Sequence, residues 1–126
     1  MKKRIMALML LLPLLGSNVS AKEIGDQEII ISRMRTTAYC TGTTSAVGEP
    51  IRHGIVGVPR KYLGKDWCCA VWLEDGTFLG YYDCWDTGAD PEQTLIDFYY
   101  PTYDECVEHM KTTGGYVIVQ FIKAYG

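Results

Sequence analysis

Histidine is scarce in this chain: only His53 and His109 occur among 126 residues. The five cysteines, Cys40, Cys68, Cys69, Cys84 and Cys106, include no Cys-x-x-Cys pair. These shortages exclude the common zinc spacings and a thioredoxin-type motif, so no metal site and no cofactor are implied. No apolar run reaches the roughly 18 residues that a membrane-spanning helix needs. The chain also lacks internal repeats and low-complexity linkers. Positive charge is short as well. Of 12 Lys and Arg residues, Lys2, Lys3 and Arg4 precede Ala21, whereas all 15 Asp and Glu residues follow it. Beyond Ala21, nine basic residues therefore face 15 acidic ones, a net of −6. Such a domain repels phosphate backbones, which disfavours nucleic acid as a partner.

The first 21 residues have the pattern of a secretory leader. Lys2-Lys3-Arg4 form its positive end, Ile5 to Leu15 an apolar run of 11 residues, and Val19-Ser20-Ala21 a small-residue cleavage site. The predicted product is an exported protein, secreted or held in the cell envelope, with no membrane span after cleavage. Residues 22–126 are then one domain. Nine Tyr, three Phe and three Trp residues, with 48% hydrophobic content, exclude a disordered chain. Export permits disulfides, but five cysteines is an odd number, so at least one thiol stays free or pairs between chains. The simplest role for most of them is that of small buried hydrophobes. Nothing in the sequence sets an oligomeric state.

Residues 22–27 read as a polar lead-in, and Ile29 to Tyr39 as a strand rich in β-branched and aromatic residues. Residues 40–54, with three glycines and many hydroxyls, read as a long loop. Ile55 to Val58 is a short strand stopped by Pro59. Ala70 to Leu73 and Phe78 to Trp85 flank Asp75-Gly76, which predicts a hairpin whose two turn residues both take positive φ. Ile96 to Tyr100 is a further short apolar run. Thr102 followed by Glu105 forms a capping box for one helix, with Tyr103, Cys106, Val107 and Met110 at the spacing of a buried face. That phase turns His109 to the polar side. Gly114-Gly115 ends the helix. Tyr116 to Ile122 has few polar breaks, as a strand covered on both faces would have. Five to seven short strands and one helix predict a small closed barrel.

Two acids stand apart. Asp86 opens Asp86-Thr87-Gly88-Ala89 directly after a strand, and Asp97 lies within Leu95-Ile96-Asp97-Phe98-Tyr99-Tyr100. A carboxyl facing a partly apolar cleft is disfavoured in its charged form, and a second carboxylate nearby disfavours it further. A carboxylic acid that keeps its proton near neutral pH can give it to a leaving oxygen. The alternative is that period-two alternation turns Asp97 outward on an edge strand.

Asp86-Thr87-Gly88, followed 11 residues on by Ile96-Asp97-Phe98, resembles the 3D (Asp-Asp-Asp) domain family. Its relatives include the membrane-bound lytic transglycosylase A catalytic domain and the stationary-phase survival muralytic enzymes. Thr37-Ala38-Tyr39-Cys40, Ser45-Ala46-Val47-Gly48, Pro101 to Glu105 and Tyr116 to Val119 extend the likeness over residues 36–122. The resemblance implies a small double-psi β-barrel that cleaves the glycan strands of peptidoglycan. It places the catalytic acid at Asp97, with Asp86 beside it in support. Thr87, Gly88, Tyr39 and Arg52 are expected to meet the substrate, Arg52 through its lactyl or peptide carboxylate. The implied reaction is that of a lytic transglycosylase, forming 1,6-anhydromuramoyl ends. The family's first aspartate, usually just before a proline, is replaced here: Gly57-Val58-Pro59 puts Val58 in its place. A non-catalytic glycan-binding barrel is therefore the alternative, with Tyr39, Trp85, Tyr99 and Tyr100 stacking on sugars.

Asp86 to Asp90 also resembles the active-site motif of retroviral-type aspartic proteases. Only 38 residues follow Gly88, no later hydrophobic-hydrophobic-Gly motif appears, and that reading leaves Ile96-Asp97 unexplained.

Overall fold

The computed structural model describes residues 19–24, 27–88 and 90–124. Its strands are β1 (Val19–Ile24), β2 (Gln27–Tyr39), β3 (Ile55–Gly57), β4 (Trp67–Trp72), β5 (Phe78–Asp86), β6 (Leu95–Tyr99) and β7 (Tyr116–Ala124). A single α-helix, α1 (Tyr103–Thr113), stands between β6 and β7 among the described residues, and one 3-10 turn spans Arg60–Tyr62. The predicted leader lies outside the described residues up to position 18. From Val19 on, the expected polar lead-in is instead a strand: β1 pairs antiparallel with the start of β2.

The strands close on themselves in the order β2-β6-β3-β5-β4-β7, with β7 pairing back onto β2. β2 is long enough to serve two partners within the barrel besides β1. Residues 27–35 pair antiparallel with β7, and residues 35–39 pair parallel with β6. A second parallel pair, β3 with β5, sits across an antiparallel β6–β3 seam. The result is a closed six-strand barrel with one helix and two parallel strand pairs among the described residues. Closure leaves no free edge among these six strands.

Alternation fixes what faces inward. Met34, Val56, Val58, Ile96, Phe98, Val117, Val119 and Phe121 fill the interior with Cys69, Val71 and Cys84. Cys69, Cys84 and Cys106 are buried thiols, and no disulfide joins the five cysteines. β7 is buried continuously from Val117 to Ile122, on both faces, as its apolar run predicts. Each residue pointing outward from β6 and the strands beside it therefore belongs to the opposite, solvent-side wall.

Two local predictions need correction. In the 73–77 turn only Gly76 takes positive φ (96°), with Gly76 N–H donating to Leu73 O (2.9 Å) and Leu73 N–H to Thr77 O (2.8 Å). That is a type I turn closed by a glycine bulge rather than the two-residue turn with both φ positive. The second correction concerns the phase of α1. Thr102 caps it as expected, accepting from Glu105 N–H at 3.2 Å, and Gly114 ends it at φ 64°. Yet Tyr103 is 72% exposed and Met110 lies outside too, whereas Cys106, His109 and Thr113 are the buried face. The helix turns toward His109 because both ring nitrogens find partners: Nε2 meets Thr36 Oγ1 and Nδ1 meets Tyr100 OH, each at 2.9 Å. The ring also packs 4.5 Å from that of Phe98. A satisfied imidazole is as acceptable in a core as an apolar group.

Burial lowers the His109 pKa to about 4, so the ring is neutral in the fold. An unfolded histidine titrates near 6.5, so below that pH the unfolded chain binds the extra proton first. The contribution of His109 is complete above about pH 6.5 and is lost as pH falls toward about 4. Urea unfolding across this window should show falling stability, and His109→Gln should flatten that fall. At pH 7 His109→Ala should cost about 2 kcal/mol, because the hydrogen bonds to Thr36 and Tyr100 and the packing on Phe98 are lost together.

Candidate active site

Ile96 and Phe98 are both in the core, so Asp97 between them must point to the outer wall. It does so from a strand paired on both sides, not from an edge. In register beside it stand Thr37 of β2 and Gly57 of β3. Gly57 is in turn in register with Asp86, the last residue of β5. Three neighbouring strands, β6, β3 and β5, thus bring Asp97 and Asp86 to one patch of wall, although they lie 11 positions apart in sequence.

Asp97 is half-buried. The backbone after β5 lies against it: a methyl group added at Gly88 would stand 3.8 Å from Asp97 Cβ and 3.9 Å from Oδ2. Gly57 is under tighter constraint. A Cβ there would come within 3.0 Å of Gly88 N and 3.4 Å of Asp97 Cβ. Neither glycine has positive φ; at Gly57 the need is for space, whereas a Cβ at Gly88 would make only ordinary contacts. Thr37 donates its hydroxyl hydrogen to Asp97 Oδ1 at 2.8 Å. Burial pushes the Asp97 pKa above the ordinary carboxyl value, the Thr37 hydrogen bond pulls it back in part, and the charge of Asp86 pushes it up again.

Asp86 is held differently. Tyr39 OH donates to its Oδ2 at 2.7 Å, and Ala46 N–H donates to its Oδ1 at 3.1 Å. Burial and the Asp86 hydrogen bond raise the Tyr39 pKa far above that of a free phenol, so this donor keeps its proton at any working pH. Ala46 reaches Asp86 because loop 40–54 docks on the end of β5, with Val47 N–H donating to Trp85 O at 3.2 Å. The backbone of Asp86 is tied as well, its carbonyl accepting from Val58 N–H at 2.9 Å. The rings of Tyr39 and Tyr99 meet edge to face at 5.4 Å beside these acids.

Of the residues singled out in the sequence, Asp86, Asp97, Tyr39, Thr87 and Gly88 come together. Arg52 is engaged elsewhere, in an ion pair with Asp83 (2.5 Å) and over the Trp85 ring at 5.0 Å. Val58 is 2% exposed within the barrel core. Asp90 is a structural acid, accepting from Glu92 N–H (3.0 Å) and Leu95 N–H (2.9 Å) to shape the connection into β6. Sequence reading passed over Thr37 and the main chain of Ala46 as site components. Thr37 carried a signal, since it sits two residues before Tyr39 on the same outward face. A backbone N–H carries none.

Among the described residues, no group of three or more His, Cys, Asp or Glu side chains is placed to hold a metal ion. No described helix is long and apolar enough to cross a membrane. No protein-family model matches the chain, and no curated protein matches it.

The close approach at Gly57 yields a direct test. Gly57→Ala should force the Thr87–Gly88 backbone away from Asp97, since the clash is with main-chain atoms that have no rotamer to change. The expected cost is about 2 kcal/mol in urea unfolding, accompanied by chemical-shift changes at the Gly88 and Asp97 amides.

Proposed function

We propose that this protein is a peptidoglycan-cleaving enzyme acting on O-glycosyl bonds, a lytic transglycosylase in which Asp97 is the single acid and base. The reading is carried by one observation: a half-buried carboxyl, its pKa raised by burial and by Asp86, whose Oδ2 lies beside the Gly88 backbone. Such a group holds its proton to higher pH than an ordinary carboxyl and can meet a substrate oxygen. The choice of substrate rests on the resemblance of the Thr37 to Cys40, Asp86 to Gly88 and Ile96 to Phe98 motifs. An exported protein, as the leader implies, would meet peptidoglycan where it lies.

In the proposed reaction, Asp97 gives its proton to the oxygen linking N-acetylmuramic acid to N-acetylglucosamine. The bond from that oxygen to the muramoyl anomeric carbon breaks, and the departing sugar keeps the electron pair and the proton. Asp97, now a carboxylate, takes the proton from the muramoyl 6-hydroxyl. The oxygen of that hydroxyl closes on the anomeric carbon, giving the 1,6-anhydro sugar. Water is not consumed, and Asp97 ends as it began. A glycosidase would ask Asp86 to act as nucleophile or base. Its two oxygens already accept from Tyr39 and Ala46, which suits a fixed negative charge better than an attacking group. That charge favours the proton on Asp97 and would stabilise positive charge developing on the sugar.

A second reading, a glycan-binding barrel without catalysis, is favoured by Val58, which leaves two acids where the resemblance implies three. It predicts capture by insoluble sacculi without release of soluble muropeptides. The protease reading loses its motive, because Asp86 has a second acid within its own chain.

Digestion of purified sacculi followed by mass spectrometry should give muropeptides lighter by one water than muramidase products. Asp97→Asn should abolish their release, and Asp86→Asn should lower it about a hundredfold. Because the fold disfavours the ionised form of Asp97, Asp97→Asn should also raise the thermal midpoint at pH 7 by a few degrees. Wild-type activity in both variants would remove the assignment. Activity should fall as pH rises through the raised Asp97 pKa, since the proton to be donated is then lost.

A further inference from the structure

The two oxygens of Asp97 stand in unlike surroundings. Oδ1 accepts the Thr37 hydroxyl at 2.8 Å, across the parallel β2–β6 pairing that sets the two residues side by side. On the other flank stands Gly57, which has no side chain, and Oδ2 lies 3.9 Å from the point where a Gly88 Cβ would be. We propose that Thr37 is a positioning residue that assigns the catalytic proton to Oδ2 of Asp97, the oxygen facing the glycine-lined side. This rests on the reading of Asp97 as the acid.

A carboxyl group carries its proton on one oxygen, and the other is then a carbonyl-like acceptor. With the Thr37 hydrogen aimed at Oδ1, that oxygen takes the acceptor role and the proton goes to Oδ2. The same contact serves the second half of the reaction. As the proton leaves, negative charge develops on the carboxylate, and the hydrogen bond from Thr37 strengthens. Thr37 therefore makes Asp97 a better donor while the surroundings help it keep the proton until substrate arrives. A hydroxyl on a strand is well suited to this: its backbone is fixed by the parallel ladder to β6, which sets Thr37 in register with Asp97.

The test compares Thr37→Val, which keeps shape and β-propensity but removes the hydroxyl, with Thr37→Ser, which restores it. Two readouts on the full chain are needed: a carbon-13 titration of the Asp97 carboxyl without substrate, and the pH profile of muropeptide release from sacculi. Thr37→Val should move the Asp97 titration and the alkaline limb of the profile to higher pH and lower kcat about tenfold. Thr37→Ser should return all three toward wild type. Release by the wild type with neither titration nor limb moved in Thr37→Val would overturn the role of Thr37 and leave the cleavage reading standing. A moved titration with no release by the wild type would support Thr37 as the group that places the Asp97 proton and would overturn cleavage. Loss of activity in Thr37→Val with both pH readouts unmoved would mark a merely structural role and overturn the inference.

Discussion

The arrangement depends on one constraint: β6 must bury Ile96 and Phe98 in the barrel, and a strand cannot bury both neighbours without turning the residue between them outward. Asp97 is that residue. Because β6 is paired on both flanks, the outward position is not an open edge but the floor of a wall formed by β2, β6 and β3. The backbone after β5 then lies over it, an approach that a Cβ at Gly57 would crowd to 3.0 Å from Gly88 N. The acid is thus half-buried by main chain, a covering that cannot swing away as a side chain can.

The same wall makes two aspartates chemically unequal. Asp97 has one donor on one oxygen and a covering of backbone. Asp86 has a donor on each oxygen, one a phenol and one a main-chain amide. Donors favour the charged form and desolvation disfavours it, so the difference in donors and cover separates the roles. The inequality reaches into the loops. Ala46 arrives only because residues 45–48 dock on the end of β5, where Ser45 N–H donates to Glu49 O (2.7 Å) and Gly48 N–H to Ser45 O (3.0 Å). Any ligand that displaces this loop also takes a donor from Asp86.

Much of this was legible in the sequence. Strand positions follow from period-two patterning, the helix start from Thr102 and Glu105, and the acid pair from carboxylates set in apolar or turn-rich contexts. The barrel itself follows from many short strands and one helix. The phase of α1 was not legible. Patterning counts apolar residues, and Tyr103 and Met110 score as core while His109 scores as surface. The actual arrangement is decided by hydrogen bonds to Thr36 and Tyr100, which come from residues 73 and 9 positions away. The turn at Gly76 was misjudged for a related reason, since Asp-Gly suits several hairpin geometries and the flanking pairing decides between them. The contacts made by Thr37 and Ala46 depend on register and loop docking, neither of which leaves a composition signal.

Position 58 bears most directly on the proposed chemistry. Val58 faces the core, and only its backbone touches the acids, through the hydrogen bond to the Asp86 carbonyl. A carboxylate on that side chain would be almost wholly buried, at a cost that an unpaired charge in a core does not recover. Within this barrel, then, the valine is what packing demands, and any role of an acid there must be met from elsewhere. Like-charge pressure on Asp97 comes from Asp86, and it needs no third carboxylate to act. The donors on Asp86 are a phenol that keeps its proton and an amide that cannot lose one, so both contacts that hold its side chain beside Asp97 are insensitive to pH.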